Sequence, residues 1–509
     1  MTERSFEDRE RHRGSLLVRG CHAWIGPGLP VREDVDLLAV DGLIADIQPS
    51  GARPPPADAV VLEGRGLLAL PGFVNAHTHS PENALRGVGE GLALEPWLCV
   101  LFAAAGVYDP ADHYACALAG AAEMLRSGTT AVLDHLWMTP PRAEAVDAVL
   151  RAYQDIGIRA AVAPMLDDSD DTEALARSVG VEVDGGLFPR QRELRPPAAL
   201  AALVDDLAHR WHGAAGGRLQ VLAGCTGVQW CSDELLVAMA EVADQHRTGV
   251  HIHLLETWLQ DRACRLRFGA SAVRGLDRLG LLERCSLAHA VWLEAADVEL
   301  IAGRGAVVVH NPAANLRLGS GLAPVRALLD AGATVALGSD GAASSDNQVL
   351  WEQVKLASLV HFGVHGRGLT ASEALTMATA GGAATFGLGG RLGRLEPGML
   401  ADVMLLDRYG DGLAGAVDLE VALALSETGR GVRHVVVDGQ VVVRDGRCVR
   451  VDEDAVRAAL AAQAARRRRR GPLPAPTAAA MARLEQLVGV LRDRDARVDA
   501  GADRHRQLR

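Results

Sequence analysis

Two histidines one residue apart, His77 and His79, end the apolar run PGFVNAHTHS at residues 71–80. Side chains two apart on a strand share a face, so both imidazoles can address one point. Downstream, HIHLLET (251–257) supplies two more histidines and Glu256, LAHA (287–290) supplies His289, and GSDGAAS (338–344) supplies Asp340. Three imidazoles and a carboxylate suit Zn²⁺, or Fe²⁺ in a similar pocket, with a water in the open position. A metal so held lowers the pKa of its bound water from ~15.7 toward ~7, which gives hydroxide at neutral pH. The chemistry to expect is hydrolysis. Taken singly, each residue has a plainer reading: polar ends of a strand for His77 and His79, a helix N-cap for Asp340. What outweighs those readings is that all of them fall at equivalent places in a repeating pattern.

That pattern is eight apolar runs separated by Ala/Leu-rich helical stretches: GFVNAHTH (72–79), TTAVLDH (129–135), IRAAVAP (158–164), LQVLAG (219–224), GVHIHL (249–254), CSLAHA (285–290), AVVVHN (306–311) and TVALGSD (334–340). Runs buried on both faces and alternating with helices indicate a parallel sheet. Eight of them predict an α/β fold, a (β/α)8 TIM-type barrel over residues 72–394, with chemistry at the C-terminal strand ends. His77, His79, His135, His253, His289, His310 and Asp340 all fall there. Strand-and-turn texture before the barrel (1–71) and after it (395–452) predicts one small β-sandwich domain built from both chain ends. Residues 453–509 read as helical, interrupted by GPLPAP.

Composition excludes several other classes. The 509 residues carry a net charge of −12, with 49% hydrophobic and 23% charged residues. An acidic globular chain is a poor partner for nucleic acid. The one basic block, Arg466–Arg470, reads as a solvated tail. The eight cysteines form no CxxC pair, which fits reduced buried thiols. The charged N-terminus has no apolar signal core, and the stretch around Trp97–Val107 is too short to span a bilayer. A soluble, cytoplasmic protein without membrane or nucleic-acid partners is expected.

PGFVNAHTH, HLLET, LAH, HNPAANLRLGSGLAPVRALLDAG and LGSDGAASSDN together resemble, in order, the amidohydrolase superfamily. The nearest branch is that of the S-adenosylhomocysteine/methylthioadenosine deaminases, 8-oxoguanine deaminases and triazine hydrolases. GRLEPGMLADVMLLD resembles the family's return to the small domain, with Met399 where lysine is usual. The resemblance spans roughly residues 15–450. It implies His77, His79, His253 and Asp340 as metal ligands, Asp340 also beside the chemistry. Glu256 is then the proton shuttle, and His289 orients or polarises at the reacting centre. Depth agrees on the fifth strand: His253 lies two residues nearer the active end than His251, which reads as a pocket-floor residue. Binuclear members bridge two metals through a lysine of the fourth strand. Here that strand reads LQVLAGC and the only lysine is Lys355, so one metal per chain is expected.

Substrate contacts are expected from Glu82 in HTHSPEN, from Trp97, from His135, and from Trp230, Trp258 and Trp292, which with Trp137 follow barrel strands; a flat heterocycle can stack on such rings. Asp134–His135 and His310–Asn311 have plain packing readings as well. Adenosine-type deaminases of the branch carry a glutamate just before WL in the first long loop. Here Pro96 stands in that place, with Glu95 one residue early. Their Pro-His-Ser-Pro segment is Cys225-Thr226-Gly227-Val228 here. Both departures weaken a nucleoside reading. The expected activity is hydrolytic deamination of an aminated N-heterocycle (purine, pyrimidine, triazine or pterin-like) with release of ammonia. One alternative keeps the site and changes the bond broken, to C–Cl, an alkylamine or a ring amide; another is an inactive binding relative. The resemblance implies a homo-oligomer, a dimer or larger.

Overall fold

The computed structural model describes residues 14–184, 186–188, 195–468 and 475–507. Five strands open the chain: β1 (Ser15–Trp24), β2 (Val31–Val40), β3 (Leu43–Pro49), β4 (Val60–Glu63) and β5 (Leu67–Pro71). Nine follow in the middle: β6 (Phe73–Thr78), β7 (Thr129–Leu136), β8 (Arg159–Pro164), β9 (Leu219–Val221), β10 (Ala223–Gly227), β11 (Val250–Leu254), β12 (Cys285–His289), β13 (Val307–His310) and β14 (Thr334–Leu337). Four close the sheet-forming part: β15 (Val403–Asp407), β16 (Val432–Val437), β17 (Gln440–Arg444) and β18 (Arg447–Cys448).

The middle strands pair in parallel. Every residue of β6, β7, β8, β10, β11 and β12 is buried, as strands covered on both faces require. Local signals set the helices between them. Asp109 caps Pro110–Arg126 by accepting the Asp112 N–H at 2.8 Å. Gly157, at φ 91°, ends Ala143–Ile156 and lets the chain turn into β8.

The expected eight-strand ring is realised differently. The strands form two parallel arcs, β6-β7-β8-β9 and β10-β11-β12-β13-β14, not one closed ladder. The fourth run splits at Leu222: its N–H still bonds the Val162 carbonyl of β8 (3.0 Å), while the residues after it, β10, pair with β11. At the other seam, the Asp340 N–H bonds the His77 carbonyl at 2.9 Å. That bond brings the ends of β6 and β14 together, where the ligand candidates lie.

Strands from both chain ends join one sheet. β5 pairs antiparallel with β15 from Pro71↔Val403 to Leu67↔Asp407. The nine outer strands form a single mixed sheet rather than two facing ones. It is pinned to the start of β8 by Arg159, which reaches Asp402 through two bonds of 2.8 and 2.9 Å and is itself buried. Residues 453–507 contribute two helices, Glu453–Arg468 and Ala475–Gln507. Among the described residues, no helix is long and apolar enough to cross a membrane.

Candidate metal and catalytic centre

His77 and His79 leave the end of β6 on one face, as a strand dictates. Their Nε2 atoms lie 3.5 and 3.3 Å from Asp340 Oδ1. His253, from β11, brings its Nε2 to 3.2 Å from His79 Nε2. His289 ends β12, and its Nε2 lies 3.6 Å from Glu256 Oε2. Asp340 and His289 turn away from their strands at φ 61° and 75°, a left-handed conformation that costs a non-glycine residue about 1–3 kcal/mol. Such turns aim side chains inward from the strand ends.

Each ring is held by its far nitrogen. His79 Nδ1 donates to the His135 carbonyl (2.6 Å), and His253 Nδ1 donates to the Thr226 carbonyl. His77 Nδ1 contacts His251 Nε2 at 2.7 Å, and His251 Nδ1 contacts Ser286 Oγ at 2.6 Å. With His251 donating to Ser286, His77 donates to His251. All three rings then turn an Nε2 lone pair inward, the tautomer a metal ligand needs. His77 Nε2 is fully buried with no hydrogen-bond partner, which is what an atom reserved for a cation looks like.

The acids respond to the same enclosure. Burial, with Asp340 nearby, pushes the Glu256 carboxyl well above its usual range, and the Ser320 hydroxyl, donating to Oε1 at 3.1 Å, only partly opposes this. Burial alone would raise Asp340 too, but His77, His79 and His289 hold it below the ordinary carboxylate value. Glu82 is pushed up to about 7 by burial and by Asp340, against the pull of His79. It accepts from the Ala343 N–H at 3.2 Å and lies so close to Gly341 that a Cβ there would sit 1.8 Å from Glu82 Oε2. Burial lowers His77 to about 3 and also lowers His289, so both rings are neutral. The 2.8 Å contact from His289 Nδ1 to Asn315 Oδ1 places the ring proton on Nδ1 and points Nε2 at Glu256.

Above these groups opens a cavity of about 810 Å³, counting its mouth, with His79, His253, Glu256, His289 and Asp340 at its floor. Glu82, Trp97 and Trp230 line it, as the sequence suggests, and so does Trp137. Three expected substrate contacts lie elsewhere. His135 is below the floor, fully buried, 4.7 Å between ring centroids from His253; neither of its ring nitrogens has a partner. Its ring nitrogens and those of His77, His79 and His253 form one compact group. Trp258 opens its helix facing the C-terminal helix, with Arg262 5.4 Å from its ring. Trp292 is 42% exposed, tied outside the cavity by its indole N–H to the Ser320 carbonyl at 3.0 Å. Residues not expected from sequence also line the cavity: Phe102, Asp167, Phe188 and Gln260. Glu95 does not line it; it is half-buried and hydrogen-bonded by the Thr257 hydroxyl.

Known proteins share this architecture. The amidohydrolase family pattern matches residues 68–442. A 5'-deoxyadenosine deaminase of Methanosarcina mazei is 34% identical over 420 residues, covering 82% of this chain and 89% of that protein. A 5-methylthioadenosine/S-adenosylhomocysteine deaminase of Desulforudis audaxviator is 33% identical over 446 residues, covering 87% and 96%. Among solved structures, a zinc-bound adenosine deaminase from Xanthomonas campestris matches with a TM-score of 0.79 at 26% identity, over 89% of this chain and 98% of that one. A zinc complex of an atrazine chlorohydrolase from Arthrobacter aurescens TC1 matches with a TM-score of 0.79 at 27% identity, over 88% and 100%. The chain belongs to the amidohydrolase family.

Proposed function

We propose that the protein is a metal-dependent deaminase of an aminated N-heterocycle, holding one Zn²⁺ per chain through His77, His79, His253 and Asp340. Three inward Nε2 lone pairs beside an ionised carboxylate fit zinc's preferred donors. The metal, when bound, supplies Lewis acidity and a water acidic enough to attack at neutral pH. Glu256 faces the cavity, protonated or ionised according to its neighbours, and is placed to take the proton of the attacking water and pass it to the departing amine. His289, neutral and fixed by Asn315, turns its Nε2 toward the reacting centre, 3.6 Å from Glu256 Oε2, and orients or polarises there. The walls, Trp97, Trp137, Trp230 and Phe188, exclude water and offer flat faces to a ring.

The observation that carries this reading is the convergence of three tautomer-fixed imidazoles on Asp340, with Glu256 beside them. The relatives' names supply the reaction class, since adenosine-type substrates bear an exocyclic amine on a heterocycle. The triazine-hydrolase likeness favours a second reading, in which the same centre expels chloride or an alkylamine. The reading also takes the two arcs as halves of one barrel, and the enzyme as a cytoplasmic homo-oligomer. Zinc-loaded protein tested on purine, pyrimidine, triazine and pterin amines and their chloro and alkylamino analogues, with ammonia, chloride and alkylamine all measured, decides between the leaving groups. None of these products from any of them would reject the hydrolase reading.

A further inference from the structure

The two C-terminal helices lie beyond the family match, which ends at residue 442, yet both reach the walls of the cavity. The first does so through the basic block. Arg466 pairs with Asp112, and Arg467 lies over the Tyr108 ring at 4.1 Å while donating to the Ala105 carbonyl at 3.3 Å. Arg467 is half-buried against this wall, while Arg466 stays exposed beside its ion pair; residues 469 and 470 lie outside the described residues. Tyr108 in turn donates to the Pro81 carbonyl at 2.8 Å, one residue from Glu82, and meets Trp137 edge-on at 5.5 Å. Trp137 lines the cavity.

The second helix holds the opposite wall. Its Leu484 and Leu487, 1% and 0% exposed, pack in one cluster with Phe188, Trp230 and Cys99. Its Arg483 donates to the Gly186 carbonyl at 2.7 Å, two residues before Phe188. Phe188 and Trp230 meet edge-on at 6.1 Å, and both face the cavity.

We infer that these helices form a brace that fixes the distal wall of the cavity and thereby sets which ring substituents it accepts: compact and apolar ones. The inference rests on the deaminase reading for its substrate class. Among the described residues, none from either helix lines the cavity itself, so Arg467, Leu484 and Leu487 are positioning residues. Glu95 is bound to the Thr257 hydroxyl and does not line the cavity, whose distal wall presents the rings of Trp137, Phe188 and Trp230.

The test is a series of 9-alkyladenines, methyl to hexyl, on zinc-loaded full-length protein. Binding is read by quenching of tryptophan fluorescence and turnover by ammonia. Each methylene that finds apolar cover should tighten binding about four-fold, until the chain meets the braced wall and affinity falls. In Leu484→Ser/Leu487→Ser that fall should move at least two carbons longer, with the shortest homologues bound about four-fold more weakly and kcat changed less than two-fold. Arg483→Gln, which removes one hydrogen bond and leaves the leucine packing in place, should move it in the same direction by less and guards against a double variant that fails to fold. The same length profile in the wild type and in both variants would overturn the brace. Binding of the series without ammonia would reject adenine deamination and leave the brace to be judged on the binding profile alone.

Discussion

Replacing His251 should weaken zinc binding without removing a ligand. His251 accepts the His77 Nδ1–H at 2.7 Å, and both rings are fully buried. Phenylalanine fills a similar volume but accepts nothing. In His251→Phe the His77 N–H is left unsatisfied, at a cost of about 1–3 kcal/mol. His77 can escape that cost by moving its proton to Nε2, but this blocks the lone pair that faces Asp340. Either way the metal-bound state is weakened. Contacts that orient a metal-binding histidine are typically worth about 10- to 100-fold in metal affinity, or about 1.4–2.7 kcal/mol. His251→Gln restores an acceptor and should recover most of the loss. The assay is competition for zinc against a chromophoric chelator, with circular dichroism to confirm folding. His253→Ala, which removes a donor, should lose the metal outright. If His251→Phe binds zinc like the wild type, the tautomer relay is wrong; if it empties the site while His253→Ala does not, the choice of His253 as the ligand from β11 is wrong.

Two further outcomes follow from geometry away from the ligands. His113, 2% exposed, is lowered to about 4 by burial and by Arg467, against Asp109. Its unfolded value near 6.5 is higher, so the unfolded chain binds the extra proton first, and stability falls as pH drops from about 6.5 to about 4. The full effect is roughly 3 kcal/mol; thermal melts of His113→Leu should show a shallower loss over that window, and an unchanged slope would contradict the assignment. Trp230→Ala should raise KM about 2- to 13-fold through lost ring contact with kcat nearly kept, whereas Trp258→Ala, outside the cavity, should leave KM unchanged; equal effects would mean the cavity is not where substrate binds.

The strand ends were the legible part. Fully apolar runs capped by His77, His79, His253, His289 and Asp340 carry their own position, because polar groups closing a doubly buried strand are costly unless something pairs with them. The break at Leu222 was not legible, since LQVLAG is equally apolar whether it forms one strand or parts of two. His135 was misplaced for a related reason: a strand-end histidine can project above the last rung or pack below it, and periodicity does not distinguish the two. Trp258 and Trp292 follow strands as Trp230 does, but helix packing and a bond to Ser320 turn them outward. Phe188 and Asp167 come from long connections with no repeating pattern to place them. The C-terminal helices were visible as helices. Their partners, Tyr108 and Phe188, lie hundreds of residues away, beyond the reach of local pattern.

The central claim is that a metal held by His77, His79, His253 and Asp340 works with Glu256 to release an amine. Glu256→Gln tests it most directly, because the amide keeps the shape and the contact near Ser320 but cannot carry the proton. Ammonia release and zinc content should be measured on the same preparation, with the best amine of the heterocycle panel. The account predicts about one zinc per chain in both proteins and a kcat reduced ~10²–10⁴-fold in the variant. Turnover within a few-fold of the wild type, with zinc retained, would contradict it.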